Sequence, residues 1–137
     1  MRITLATVLD RQMKLLLRVG AGLIALFALI ALLRPSAAAS LLGLPLDLDP
    51  RITLWNLRLS ALICLPLAGF MALAAAFLPE RALRQSGAIM VAFALMSAVL
   101  MLFSPGGWSG GRIALLALGI LSIALYLKAL RARLRHR

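Results

Sequence analysis

Four apolar runs without a charged residue divide this chain, and each is bounded by basic residues or proline. The first, Val19 to Leu33, is 15 residues long and follows Arg11, Lys14 and Arg18, which stand three and four apart and share one helix face. At about 1.5 Å per residue it covers roughly 22 Å of a hydrocarbon core about 30 Å thick. Arg18 and Arg34 must therefore snorkel to the headgroups. The second run follows Arg58 and lasts 21 residues to Pro79, with Ile52 to Leu57 ahead of the arginine. In the third, Ser86 to Phe103 reads as helix within an uncharged stretch from Gln85 to Gly111. The fourth, Ile113 to Leu127, is again 15 residues, between Arg112 and Lys128. The pattern predicts an all-α fold, a four-transmembrane-helix bundle forming one integral membrane domain over residues 1–137, with spans near 15–33, 53–77, 86–103 and 113–130.

The stretch between the first two spans breaks this regularity. Pro35 ends the first helix, since it disfavours helical backbone at Arg34. Ser36 to Leu44, rich in alanine, predicts a short helix lying in the membrane interface. Pro45 and Pro50 interrupt the connection to the second span. Asp47 and Asp49 are two apart and point to one side of an extended segment, within reach of Arg51, Arg58, Arg112 or a dissolved cation. The alternative is that they are solvated loop acids, one of them capping the next helix. Arg58 lies in the first turns of the second span, where an ionisable group is a candidate ligand contact or the partner of a loop acid. Asn56, Ser60 and Cys64 recur every four residues and form a polar stripe away from Arg58.

Further along, Pro66 removes a backbone donor in mid-span and predicts a kink. Ala61, Ala68, Ala72 and Ala75, with Ala21, Ala25 and Ala28 on the first span, make small-residue seams that let helices approach closely. The link from Pro79 to Arg84 is short, which predicts that spans two and three are antiparallel neighbours. Met90, Met96 and Met101 read as gap fillers in the third span. The turn SPGGWSGG has no phosphate-loop spacing and joins two membrane helices. Gly119, Ser122 and Tyr126 share a face of the fourth span that should pack inward.

Composition supports the class: 64% of residues are hydrophobic, against roughly 45 to 50% in soluble domains. The net charge of +11 would raise nucleic acid as a partner in a soluble protein, but here the cations sit at span ends and no nucleic-acid partner is expected. With both termini on one side, 11 of the 15 Lys and Arg fall there and 4 opposite. Positive-inside bias then predicts cytoplasmic N- and C-termini, in a bacterial inner membrane. Trp55 and Trp108 fall at the outer interface as anchors and Tyr126 at the inner. Arg131, Arg133, Arg135 and Arg137 in the tail are candidate lipid-headgroup contacts. The opening also carries a signal-like A-x-A pattern at Ala37 and Ala39, but Arg34 intervenes and the first span is expected to be retained.

Chemistry is sparse. The lone Cys64 and lone His136 offer no disulfide, His pair or nucleophile dyad, so no catalytic constellation, metal site or cofactor is expected. A glycine-bearing first helix (Val19-Gly20-Ala21-Gly22), Pro35 just after it, the step Leu41 to Leu44 and Arg58 opening the second helix resemble the small four-helix integral membrane proteins of the DoxX-like group, whose function is unknown. The resemblance implies a four-helix bundle and a membrane subunit near quinone or redox chemistry. Two functions are expected from the residues. One is a structural or accessory subunit that packs on other membrane chains, or on itself, through its small-residue faces. The other is a lipid- or quinone-binding module of a transport-related kind, with an outward-facing pocket formed by Arg58, Asn56, Asp47 and Asp49.

Overall fold

The computed structural model describes residues 2–46, 49–104 and 107–134, with side chains described among residues 11–131 except that of Glu80. Five helices and no strand are present among them: α1 Arg2–Leu33, α2 Pro35–Leu42, α3 Pro50–Phe77, α4 Glu80–Phe103 and α5 Gly110–Leu134. Four contain stretches long and apolar enough to cross a membrane, Arg11–Leu33, Pro50–Phe77, Arg81–Phe103 and Gly110–Arg131. The large apolar side chains on their outer faces, such as Leu26, Phe70, Phe77, Ile89 and Phe103, are exposed. The buried positions are mainly alanine. A small-residue interior beneath a Leu/Phe exterior suits lipid rather than water. The protein is an integral membrane four-helix bundle.

The helices outrun the apolar runs that announced them. No glycine or proline occurs between Arg2 and Arg18, so α1 continues back through its charged turns to 32 residues. At its other end Pro35 occupies the first turn of α2, where its missing N–H costs nothing. Gly43 closes α2 in left-handed backbone, φ 66°, with its N–H on the Ser40 carbonyl and the Leu44 N–H on that of Ala39. The short alanine-rich helix expected between the first two spans is present, and its Pro35, Ala38 and Ala39 are buried against the neighbouring helices. Only one face, with Ser36, Ser40 and Leu41, is exposed.

The two seams close on each other except at Ala72, which is exposed, and Ala25, which is half-buried. Ala61, Ala68 and Ala75 recur every seven residues on α3 and are buried, as are Ala21 and Ala28 on α1, and these two helices pack along much of their length. Small residues at that spacing keep one face of each backbone against the other. α4 packs against α5, and α1 also touches α2, α4 and α5. Despite their short link, α3 and α4 meet very little, contrary to the neighbour relation that the link predicted. The reason is that the small-residue face of α3 is already taken by α1. α3 runs unbroken through Pro66, which is exposed.

Candidate functional site

The end of the bundle that holds α2 is sealed by the turn between α4 and α5. Ser109 caps α5: its hydroxyl accepts the Arg112 N–H at 3.1 Å and donates to the Leu41 carbonyl at 2.7 Å. Gly111 is pressed against Leu41, where a Cβ would come within 2.5 Å of the carbonyl oxygen. A Cβ on Gly43 would stand 2.3 Å from the Gly107 carbonyl oxygen. Both glycines are needed because backbone meets backbone there.

Arg112, expected to be a flanking cation, is 2% exposed. Its Nη2 donates to the carbonyls of Met101, Leu102 (3.4 Å) and Ser104 (3.3 Å), and its Nη1 to that of Gly107 (3.3 Å). These include carbonyls of the last turn of α4, which have no partner within their own helix. The guanidinium also lies 4.7 Å from the Trp108 ring centre. In its own helix Arg112 stands at the positive end, yet its charge lies at the negative end of α4. It is a clamp for the turn.

The residues proposed for an outward pocket are distributed differently. Asp49 caps α3, its carboxylate accepting the N–H groups of Arg51 (3.2 Å) and Ile52 (3.3 Å). Asp47 lies outside the described residues. Asn56, Arg58 and Ser60 are exposed on α3, while Cys64 packs beside Ala28, Ala31, Ala38 and Ala61. Trp55 and Trp108 are exposed. Tyr126, expected at the inner belt, is instead 4% exposed, because its ring fills the core formed by Met13, Leu17, Met71 and Leu83. Arg131 is exposed; only the backbone of Arg133 is described, and Arg135 and Arg137 lie outside the described residues.

Tyr126 also lines a cleft of about 190 Å³ between α1, α4 and α5. Gly20, Leu23 and Ile24 form one wall, Met90 to Met101 the second and Leu115 to Tyr126 the third. Leu115 and Tyr126 are 11 positions apart on α5, so the cleft extends about 16 Å along the bundle. It is long and narrow, and its lining is apolar save for Ser97, Ser122 and Tyr126. Ser122 is committed to the Leu118 carbonyl at 2.8 Å. The Tyr126 hydroxyl is buried with no hydrogen-bond partner among the described residues. It stands beside Gly20, 3.5 Å from where a Cβ there would be. Gly119 and Ser122 complete the inward face expected on the fourth span. On the α1 and α4 walls, Gly20, Met90 and Met101 stand out in the sequence only as a helix glycine and as gap fillers.

No family model, curated protein or solved structure matches this chain. The chemistry of the cleft itself sets what it can hold. A cavity of about 150 Å³ takes a benzene-sized guest. This one is somewhat larger and drawn out, so it suits a single hydrocarbon chain with an acceptor at the Tyr126 end.

Proposed function

We propose that this protein is a membrane module that holds one long-chain apolar molecule, an isoprenoid quinone or a lipid, in the cleft between α1, α4 and α5. The observation that carries this reading is an apolar groove lined at one end by Tyr126, whose buried hydroxyl has no partner among the described residues. An unsatisfied buried hydroxyl costs about 1 to 3 kcal/mol. A ligand carbonyl that accepts from it recovers that cost, while the chain lies along Leu23, Phe93 and Leu116. Tyr126 is five residues from the end of its candidate span at Arg131, so the ligand's head sits near the membrane face that carries both termini.

The test is extraction of the purified protein, taken from native membranes in mild detergent, with quinones and lipids quantified by mass spectrometry. Tyr126→Phe is expected to lower retention roughly 5- to 10-fold, the loss of one hydrogen bond of about 1 kcal/mol. Gly119→Leu, which adds a side chain where a Cβ meets nothing within 4 Å, is expected to block the cleft. Equal retention in both variants and the parent would refute the reading.

A second reading is favoured by a different observation. Asn56, Arg58 and Ser60 lie exposed on a membrane helix, where polar groups find partners on neighbouring helices. In this reading α3 is the docking face of an accessory subunit, and cross-links placed at Ser60 would capture a partner chain or a second copy. The alanine seams, being closed within the chain, lend it no support.

The orientation belongs to the same proposal: both termini cytoplasmic in a bacterial inner membrane, supported by the bias of 11 basic residues to 4. Impermeant labelling of a cysteine placed after Arg137, in intact cells, would contradict it. The DoxX-like resemblance enters here too, as the implied link to quinone or redox chemistry.

A further inference from the structure

At the end of the bundle that carries both termini, a second recess of about 460 Å³ lies between α4 and α5. Arg81, Arg84, Gln85 and Ala88 supply one wall from a single face of α4, and Leu130 supplies the other from α5. None of them lines the Tyr126 cleft, so the recess is independent of the ligand proposed there. Arg81 and Gln85 are exposed and Arg84 is half-buried. Among the described residues neither guanidinium is engaged in an ion pair or hydrogen bond.

The charge around the recess is one-sided. Lys128 and Arg131 sit on the same turns of α5 as Leu130, and Glu80 is the one acid in the adjoining sequence. The first turn of α4 adds the partial positive charge of its N–H groups. Below the cations the lining turns apolar with Ala88 and Leu130, and Ile89 beside them is exposed on the lipid-facing surface.

We propose that this recess is a site for the phosphodiester headgroup of an anionic phospholipid. Arg81 and Arg84 donate to the phosphate oxygens and Gln85 to a glycerol or ester oxygen, while Ala88 and Leu130 receive the first methylenes of the acyl chain. Basic recesses between helices at a membrane face are suited to such headgroups. The space exceeds what an inorganic phosphate fills, and its apolar floor gives a free anion nothing.

The experiment is native mass spectrometry of the protein from mixed micelles of phosphatidylglycerol and phosphatidylcholine, scoring the ratio of the two lipids retained. The parent is expected to favour phosphatidylglycerol. A surface cation alone is worth roughly fivefold, so R81Q/R84Q, which also removes direct donors to the phosphate, should lower that preference by well over about 25-fold, and R81K/R84K should keep most of it, which separates charge from folding. Leu130→Trp fills the recess with every charge in place and is expected to reduce retention. K128Q/R131Q, at exposed positions outside the recess, is expected to change the ratio much less. An equal loss in the two glutamine doubles would overturn the site in favour of diffuse surface charge. Unchanged retention in Leu130→Trp would do the same, and displacement of the lipid by inorganic phosphate alone would overturn the lipid as occupant.

Discussion

Replacing Arg112 by methionine tests whether the sealed end of the bundle depends on the clamp. The side chain keeps its bulk and loses its charge, and the last carbonyls of α4 lose their donors. Three of the four contacts are 3.3 to 3.4 Å, at the long edge of useful hydrogen bonds, and count for little each. The fourth, to the Met101 carbonyl, counts as one ordinary charge-assisted bond. A good hydrogen bond to a charged group is worth about 1.5 to 3 kcal/mol. The Trp108 stack adds about 0.5 to 1 kcal/mol, at the lower end because the indole is 62% exposed. Against this stands the burial cost of the cation, which methionine relieves. The net expectation is a loss of about 2 kcal/mol. For a chain of this size that corresponds to roughly 6 °C in the unfolding midpoint. In detergent, Trp108 fluorescence in a Trp55→Phe background reports the unfolding locally, and Arg112→Lys should recover part of the loss. A midpoint for Arg112→Met within about 2 °C of the parent would refute the clamp, since an exposed flanking cation predicts so small an effect.

Asp49→Ala removes the α3 cap and should cost about 1 kcal/mol, whereas Asp49→Asn should cost less, both measured by thermal unfolding. Gly43→Ala forces a side chain into left-handed backbone and against the Gly107 carbonyl, so a loss of about 3 kcal/mol or failure to accumulate is expected, read from purified yield and midpoint. Tyr126→Phe, by removing a buried hydroxyl with no partner among the described residues, should leave the stability of delipidated protein, read from its midpoint, unchanged or raise it by about 1 kcal/mol. A marked fall would mean that the hydroxyl is bonded.

Much of the architecture was readable because a bilayer forces it. Each crossing must satisfy its own backbone, so about twenty apolar residues between cations leave few alternatives to a spanning helix. The stop at Pro35 and the capping role open to Asp49 were readable because they are local chemistry. What escaped depends on contacts between distant residues. The burial of α2 rests on Ala38 meeting Ala28, Ala31 and Ala61, and its end is held by Ser109 reaching Leu41, 68 positions away. The cleft rests on a register between α1, α4 and α5 that side-chain packing sets. Charge counting placed Arg112 correctly at the end of a span but could not say whether it faced headgroups or protein. One signal did exist: SPGGWSGG supplies few side chains to the last carbonyls of α4, and Arg112 is the next donor along the chain. Helix adjacency misled for a related reason. A short link limits distance but does not make α3 and α4 pack when α1 already covers the seam of α3.

The two ends of the bundle are built for different tolerance, which yields a sharper test of the cleft. At the α2 end, glycines abut backbone atoms that cannot yield. Around Tyr126 they abut methionines: a Cβ on Gly20 would meet Met71 Cε at 3.2 Å, and one on Gly87 would meet Met13 Sδ at 2.9 Å. Thioether ends shift at little cost. Gly20→Ala should therefore fold as well as the parent, with Met71 giving way and the helix gaining up to about 1 kcal/mol from the lost glycine. The new methyl, however, stands beside the Tyr126 hydroxyl on the wall of the cleft, where the ligand's acceptor would lie. Retention of bound quinone or lipid should fall while the unfolding midpoint holds or rises. A fall in both would indicate tight packing at Gly20 rather than a ligand site. No change in retention would place the ligand's head elsewhere.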